Sequence, residues 1–252
     1  MRPDPSVKRT GTGRPSLALI SFWAKPAPPL RAAQLKRQAS VNTAAVALSL
    51  LLAGVVAHAE GLAPPTPPFD AQTWPSSISR RPITGANLGV LRLEFEKITL
   101  PDVLSRADVG SIQHSGDAGE SIYWLCYTVS GTKPTRLWLT SHGEMGGPEH
   151  ALSCVTIVAL KSSQPVSDCP ALPAHMRPIS LLGGPVRVGA EMRSLSKKLG
   201  PPSHRSGAWV SYNFAGKATG NCPGGFNVLN SLVLKVERGT VKAIHSNQVT
   251  SC

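Results

Sequence analysis

The chain has 252 residues, with 26 Lys and Arg against 14 Asp and Glu, a net charge of +12 and a pI near 9.9. With 23 Gly, 23 Pro, 41% hydrophobic and 16% charged residues, it is neither collagenous, nor a coiled coil, nor a polytopic membrane protein, and it holds enough apolar material for a packed core. The basicity suggests a polyanion partner only if it belongs to the folded part, so its position along the chain matters.

Residues 1–34 carry six Pro and no clear periodicity. They read as a disordered leader, or as an artefact of a start site placed upstream of a true start near Leu35. Residues 35–59 read as a secretory signal peptide. Lys36 and Arg37 precede a stretch without Lys, Arg, Asp or Glu, and Ala57-His58-Ala59 supplies small residues at the cleavage position. The apolar run from Thr43 to Val56 is shorter than the ~20 residues a bilayer span needs. Cleavage is expected between Ala59 and Glu60, with no Cys nearby to carry an acyl anchor. Residues 1–59 hold eight basic residues and one acid, so the remaining 193 carry 18 basic and 13 acidic residues, a net +5. The longest basic runs there are Arg80-Arg81 and Lys197-Lys198, too sparse for a nucleic-acid stripe.

Residues 60–82 contain six Pro and read as a proline-rich tether of partly polyproline character. The expected fold then comprises a first unit at 83–160, a linker at 161–186 and a second unit at 187–252. In the first, Thr99 can cap a helix with Asp102 at its third position, and Leu100, Val103, Leu104 and Ala107 share a face. In the second, Val188, Met192, Leu195 and Leu199 have helical spacing, stopped by Gly200-Pro201-Pro202. Strands are expected at 121–129, 136–141 and 151–160, and again at 208–214, 231–236 and 240–245, the last two joined by a tight turn at Glu237-Arg238-Gly239. The predicted class is α+β, with two tandem units, each a helix or helix pair packed on a three- to four-stranded antiparallel sheet.

Strand alternation sends Tyr123, Leu125, Tyr127 and Val129 to one face and Trp124, Cys126 and Thr128 to the other; Leu137 and Leu139 likewise oppose Arg136, Trp138 and Thr140. Trp124, Trp138 and Trp209 thus fall on faces turned away from the helices, among Ser, Thr, Asn and Arg. They form either a protein-binding surface or a layer buried by internal packing. A helix ending in Leu-Gly-x-Pro (Leu199–Pro202 here), the Trp-x-x-Tyr strands (Trp124/Tyr127 and Trp209/Tyr212) and the closing Gly turn resemble the small outer-membrane assembly lipoproteins of the SmpA/OmlA, or BamE, type. Two such units in tandem resemble the β-lactamase-inhibitor protein fold. The likeness is best over Val188–Ile244 and implies protein binding on the exposed sheet side or its loops.

The five Cys, at 126, 154, 169, 222 and 252, lie in the exported part, where disulfides persist. Expected pairs are Cys222–Cys252, stapling the C-terminus, and Cys154–Cys169, leaving Cys126 over, although connectivity is not fixed by sequence. The loop from His142 to His150 holds two His and two Glu and reads as a plain connector, a protein contact or a metal ligand set. No phosphate loop, dinucleotide fingerprint, nucleophile elbow or His-Glu-x-x-His occurs. The expectation is an exported protein-binding module, inhibitor-like or an envelope scaffold, periplasmic or secreted, whose partner is another protein. Neither nucleic acid, cofactor, metal nor catalytic residue is invoked. The expected contacts are Trp124, Trp138 and Trp209, with Glu144, Met145 and Glu149 on the adjacent loop. The alternative is a small periplasmic hydrolase or metal-dependent enzyme using Cys126 and the His142–His150 loop.

Overall fold

The computed structural model describes residues 62–68, 76–143, 149–161 and 169–252. The leader, the signal region with Ala59 and Glu60, and the loop residues Glu144 and Met145 lie outside them. Eleven strands are found among the described residues: β1 (Gly85–Leu88), β2 (Leu91–Glu94), β3 (Gln113–Ser115), β4 (Ile122–Val129), β5 (Thr135–His142), β6 (Cys154–Ala159), β7 (Ile179–Leu182), β8 (His204–Ser206), β9 (Trp209–Ala218), β10 (Phe226–Glu237) and β11 (Thr240–Ser251). Two helices of eight residues accompany them, α1 (Leu100–Ala107) and α2 (Met192–Leu199).

Local chemistry accounts for several boundaries. Thr99 caps α1 reciprocally: its Oγ1 accepts from the Asp102 N–H at 3.2 Å, and the Asp102 carboxylate accepts from the Thr99 N–H at 3.1 Å. The Thr99 hydroxyl also donates to that carboxylate at 2.7 Å, and this bond, together with the one from the Thr99 N–H, holds the Asp102 carboxyl below its ordinary pKa. Leu100, Val103 and Ala107 are buried and Leu104 is half-buried. Gly200 ends α2 at φ +82°. The β10–β11 turn consists of Arg238 and Gly239, both with positive φ, the backbone a two-residue hairpin of right-handed twist requires.

The assembly differs from the expected one. The sheet order β3-β4-β5-β6-β11-β10-β9-β8 makes one continuous eight-stranded antiparallel sheet rather than two separate units. Its centre is a seam between β6 and β11, running from Val158 opposite Ala243 to Cys154 opposite Asn247. The reason is the edge each three-stranded meander would otherwise leave open: joining the two satisfies both rows of backbone groups at once. The outermost strands, β3 and β8, are only three residues long.

The expected helices are also too small a cover. Each spans about 12 Å, so helix-on-sheet packing is not the organising layer. A second, three-stranded sheet of order β2-β1-β7 supplies the remainder. Its residues Leu88, Leu93 and Leu181 join Leu100 and Val103 of α1, Met192 and Leu195 of α2, and Leu125, Leu137, Leu139, Val210 and Tyr212 of the large sheet in one core. The stretch at 161–186 is therefore not a mere linker, since β7 inside it pairs with β1 along its whole length. Below, the face of the large sheet on this core is called inner and the opposite face outer.

Two cysteine pairs stand at disulfide distance, Cys126–Cys169 and Cys222–Cys252, and Cys154 is free and buried. The second pair is the expected one. The expected Cys154–Cys169 bridge is replaced for a geometric reason. β3 pairs with β4 only at residues 122–124, which leaves the β4 edge at Thr128 open. The segment Pro170–Leu172 fills it: the Thr128 N–H donates to the Pro170 carbonyl and the Leu172 N–H to the Thr128 carbonyl, each at 2.8 Å. Cys169 is thereby laid beside Cys126, whereas Cys154 is two strands away, about 10 Å across the sheet.

Candidate functional site

The pleat of β4 and β5 places Trp124, Cys126 and Trp138 on the outer face, where they cluster with Cys169. The face is not open there. Trp124 and Trp138 retain 4% and 3% of their exposure, so neither is a free contact residue, which corrects the open-surface reading for this pair. The Trp138 indole N–H donates to the carbonyl of Leu62 at 2.8 Å, and the Arg136 guanidinium lies 5.9 Å from its ring centroid. Trp209 is half-buried on β9, four strands from β5 and about 19 Å away across the sheet. The three tryptophans thus do not form one patch. Glu149 is exposed; Glu144 and Met145 fall outside the described residues.

Between the tryptophans the outer face carries Thr156, His245, Val233 and Ser211 in one cross-strand row. His245 is 5% exposed, its Nδ1 is 3.1 Å from Thr156 Oγ1, and its ring is 5.8 Å from that of Trp209. Burial pushes its pKa down to about 4, so it is neutral at pH 7. Cys154, hydrogen-bonded to Thr156 Oγ1 at 3.8 Å, has its thiol pushed up to about 11 by burial and is not a nucleophile at neutral pH. Cys126 has its sulfur committed to Cys169, which removes the nucleophile of the hydrolase alternative. His142 Nδ1 lies 2.8 Å from Ser153 Oγ, while His150 packs on Tyr123, and Tyr123 on His114, with ring centroids 3.8 and 4.4 Å apart. Among the described residues no three His, Cys, Asp or Glu side chains converge as metal ligands.

His245 gives a pH prediction. Its folded pKa lies below the ordinary 6.5, so the unfolded chain binds the extra proton first as pH falls. Stability is full above about pH 6.5 and declines toward pH 4, by about 3 kcal/mol for this residue. Urea unfolding of wild type and His245→Gln from pH 7 to 4 should show the variant with the shallower loss; parallel curves would remove His245 as the cause.

A groove of about 1150 Å³ opens elsewhere, on the core side, between β7, the segment 184–191 and α2. Its apolar lining includes Val129, Ile157, Val186 and Leu195. β7 is an outer strand of its sheet. The Gly89 N–H donates to the Pro178 carbonyl at 3.0 Å and Ser180 stands opposite Asn87. Because backbone direction alternates along a strand, Pro178, Ser180 and Leu182 address β1, and the N–H and C=O groups of Ile179 and Leu181 face away from it, on the groove side. Among the described residues no strand pairs with that edge. Arg177, Arg187 and Lys198 also line the groove, against the single carboxylate of Glu191. The Lys133 amine lies 3.1 Å from where a side chain on Gly189, one of the lining residues, would begin. The three ion pairs found among the described residues all lie elsewhere.

Sequence reasoning passed over this region. The signal was present: Ile179-Ser180-Leu181-Leu182 is a short, mostly apolar run between Pro178 and Gly183-Gly184, a short strand with breakers on both sides, but four residues inside an apparent linker carry little weight. Comparison with protein-family models, with characterised proteins and with solved structures gave no match, so the functional reading rests on this chain's own residues.

Proposed function

We propose that this is an exported protein-binding module that takes an extended acidic segment of another protein along β7. The observation that carries the reading is the unpaired backbone edge of β7 beside an apolar floor in a groove lined by three cations and one carboxylate. An extended segment adds a strand to such an edge, main-chain bonds supply affinity, and alternate side chains select the partner. The cationic lining selects acids. Two disulfides and the signal-like residues 35–59 support export. The sequence likeness to inhibitor and envelope-assembly modules supports the same general class, protein binding.

The test uses two fluorescein-labelled octapeptides, one alternating glutamate with valine and one alternating lysine with valine. The acidic peptide should bind and the basic one should not. Arg187→Glu combined with Lys198→Glu, both at exposed positions, should weaken acidic-peptide binding roughly tenfold at 0.05 M salt, with less effect at 0.5 M. Equal binding of both peptides, or an unchanged affinity in the double variant, would defeat the proposal.

A further inference from the structure

We propose that the outer face around Trp138 is a binding site for proline-rich segments, filled in this structure by the chain's own residues 62–68, and that a proline-rich segment of another protein can take their place. This site lies on the opposite side of the large sheet from the β7 groove, so it stands or falls independently of the reading above.

Three observations carry it. The first is the bond itself. The Trp138 indole N–H, on a side chain 3% exposed, donates to the Leu62 carbonyl at 2.8 Å. Leu62 opens the run Leu-Ala-Pro-Pro-Thr-Pro-Pro, residues 62–68. A chain in the polyproline conformation makes no internal hydrogen bonds, so every carbonyl is free to accept, and an indole N–H combined with a flat apolar ring is the group that reads such a chain.

The second is the burial period of the strap. Pro64 and Pro67 are half-buried, whereas Leu62, Ala63, Pro65, Thr66 and Pro68 are exposed. One residue inward in every three is the spacing of a polyproline helix laid against a surface, which has three residues per turn. A strand would alternate by two.

The third is unfilled capacity beside the strap. Trp124 stands opposite Thr140 on β5, and Trp138 is opposite Cys126 on β4, so the two indoles occupy neighbouring rows of one face. Trp124 Nε1 and Thr140 Oγ1 are buried and find no hydrogen-bond partner among the described residues. Buried donors of this kind are costly to leave unmade. The strap uses one donor of the three, and a proline-rich ligand seated along this face offers carbonyls to the others. Because the strap is covalently attached, it competes at the high effective concentration of a short tether. An outside ligand must therefore displace it.

The experiment compares the intact protein with a variant in which residues 62–68 are replaced by a Gly-Ser sequence of equal length. The probe is a fluorescein-labelled synthetic peptide with the sequence of residues 60–69, and the control is the same peptide with each proline replaced by alanine. The strap-replaced variant should bind the proline peptide at least tenfold more tightly than the intact protein and tenfold more tightly than it binds the alanine control. Adding Trp138→Phe to that variant, which keeps an aromatic ring and loses the N–H, should weaken binding about fivefold. In the intact chain, millimolar proline peptide should shift tryptophan emission and speed protease cleavage within the tether. This readout does not depend on the replaced variant folding. Equal binding of the proline and alanine peptides would overturn the proposal, as would an intact chain unchanged by excess peptide. A concentration-dependent dimer of the intact protein, abolished by replacing the strap, would overturn exchange with other proteins in favour of exchange between two copies.

Discussion

Replacing Cys126 and Cys169 together by alanine should cost about 4 kcal/mol of stability, from the closure of a loop with a sequence separation of 43. The consequence reaches beyond chain entropy. Cys126 and Cys169 form a cluster with Trp124 and Trp138 on the outer face, and the same segment hydrogen-bonds the β4 edge at Thr128. Its release should expose both indoles. The expected result is a lowered urea midpoint together with a red shift of native-state tryptophan emission. Alanine at Cys222 and Cys252, a separation of 30, removes a crosslink of similar entropic weight, but that pair lies outside the tryptophan cluster, so emission should stay unchanged. Identical emission in the two double variants would show that the Cys126–Cys169 bridge does not hold the cover in place.

The second large effect is expected at Gly85, where β1 passes β2. Its φ is +148°, and a Cβ there would lie 1.9 Å from the Leu93 carbonyl oxygen. Gly85 pairs with Glu94 on one side and Leu182 on the other, so neither neighbour can retreat without breaking the small sheet. Gly85→Ala combines an unfavourable backbone conformation with a backbone collision and should cost about 3 kcal/mol or more. Gly207 is the control. Its φ is +54° and nothing lies within 4 Å of its would-be Cβ, so alanine there meets only the milder left-handed penalty, about 1 kcal/mol. Thermal denaturation of both variants separates the two contributions; equal losses would show that the close approach at Gly85 is not what matters.

Features legible in the sequence were those fixed by near neighbours. Thr99 and Asp102 are three residues apart and settle the start of α1 between themselves. Arg238-Gly239 sets the β10–β11 turn, and alternation along β4 and β5 separates Leu125, Leu137 and Leu139 from Trp124 and Trp138. What escaped was set by distant edges. Nothing in Cys154–Ala159 or Thr240–Ser251 says that their backbones will meet, so the single sheet was read as two units. Cys169 chose Cys126 over Cys154 because the β4 edge at Thr128 was open, a fact belonging to β3 and not to any cysteine. The same limit hid the candidate site. An unpaired β7 edge is a property of strand order, and the cations that line the groove beside it come from separate places, Arg177, Arg187 and Lys198.

The β6–β11 seam has a consequence for how the chain assembles. Val158 and Ala243 meet across a sequence separation of 85, whereas β4–β5 and β10–β11 are neighbours in sequence joined by short turns. Local hairpins close quickly and distant pairings slowly, so each meander forms before the join. Neither disulfide spans that join: one lies within residues 126–169 and the other within 222–252. Oxidation therefore secures each half of the sheet and leaves the middle held by hydrogen bonds and packing alone. Until the seam closes, β6 and β11 each present a bare strand edge, the condition under which two nascent chains pair with one another instead of with themselves.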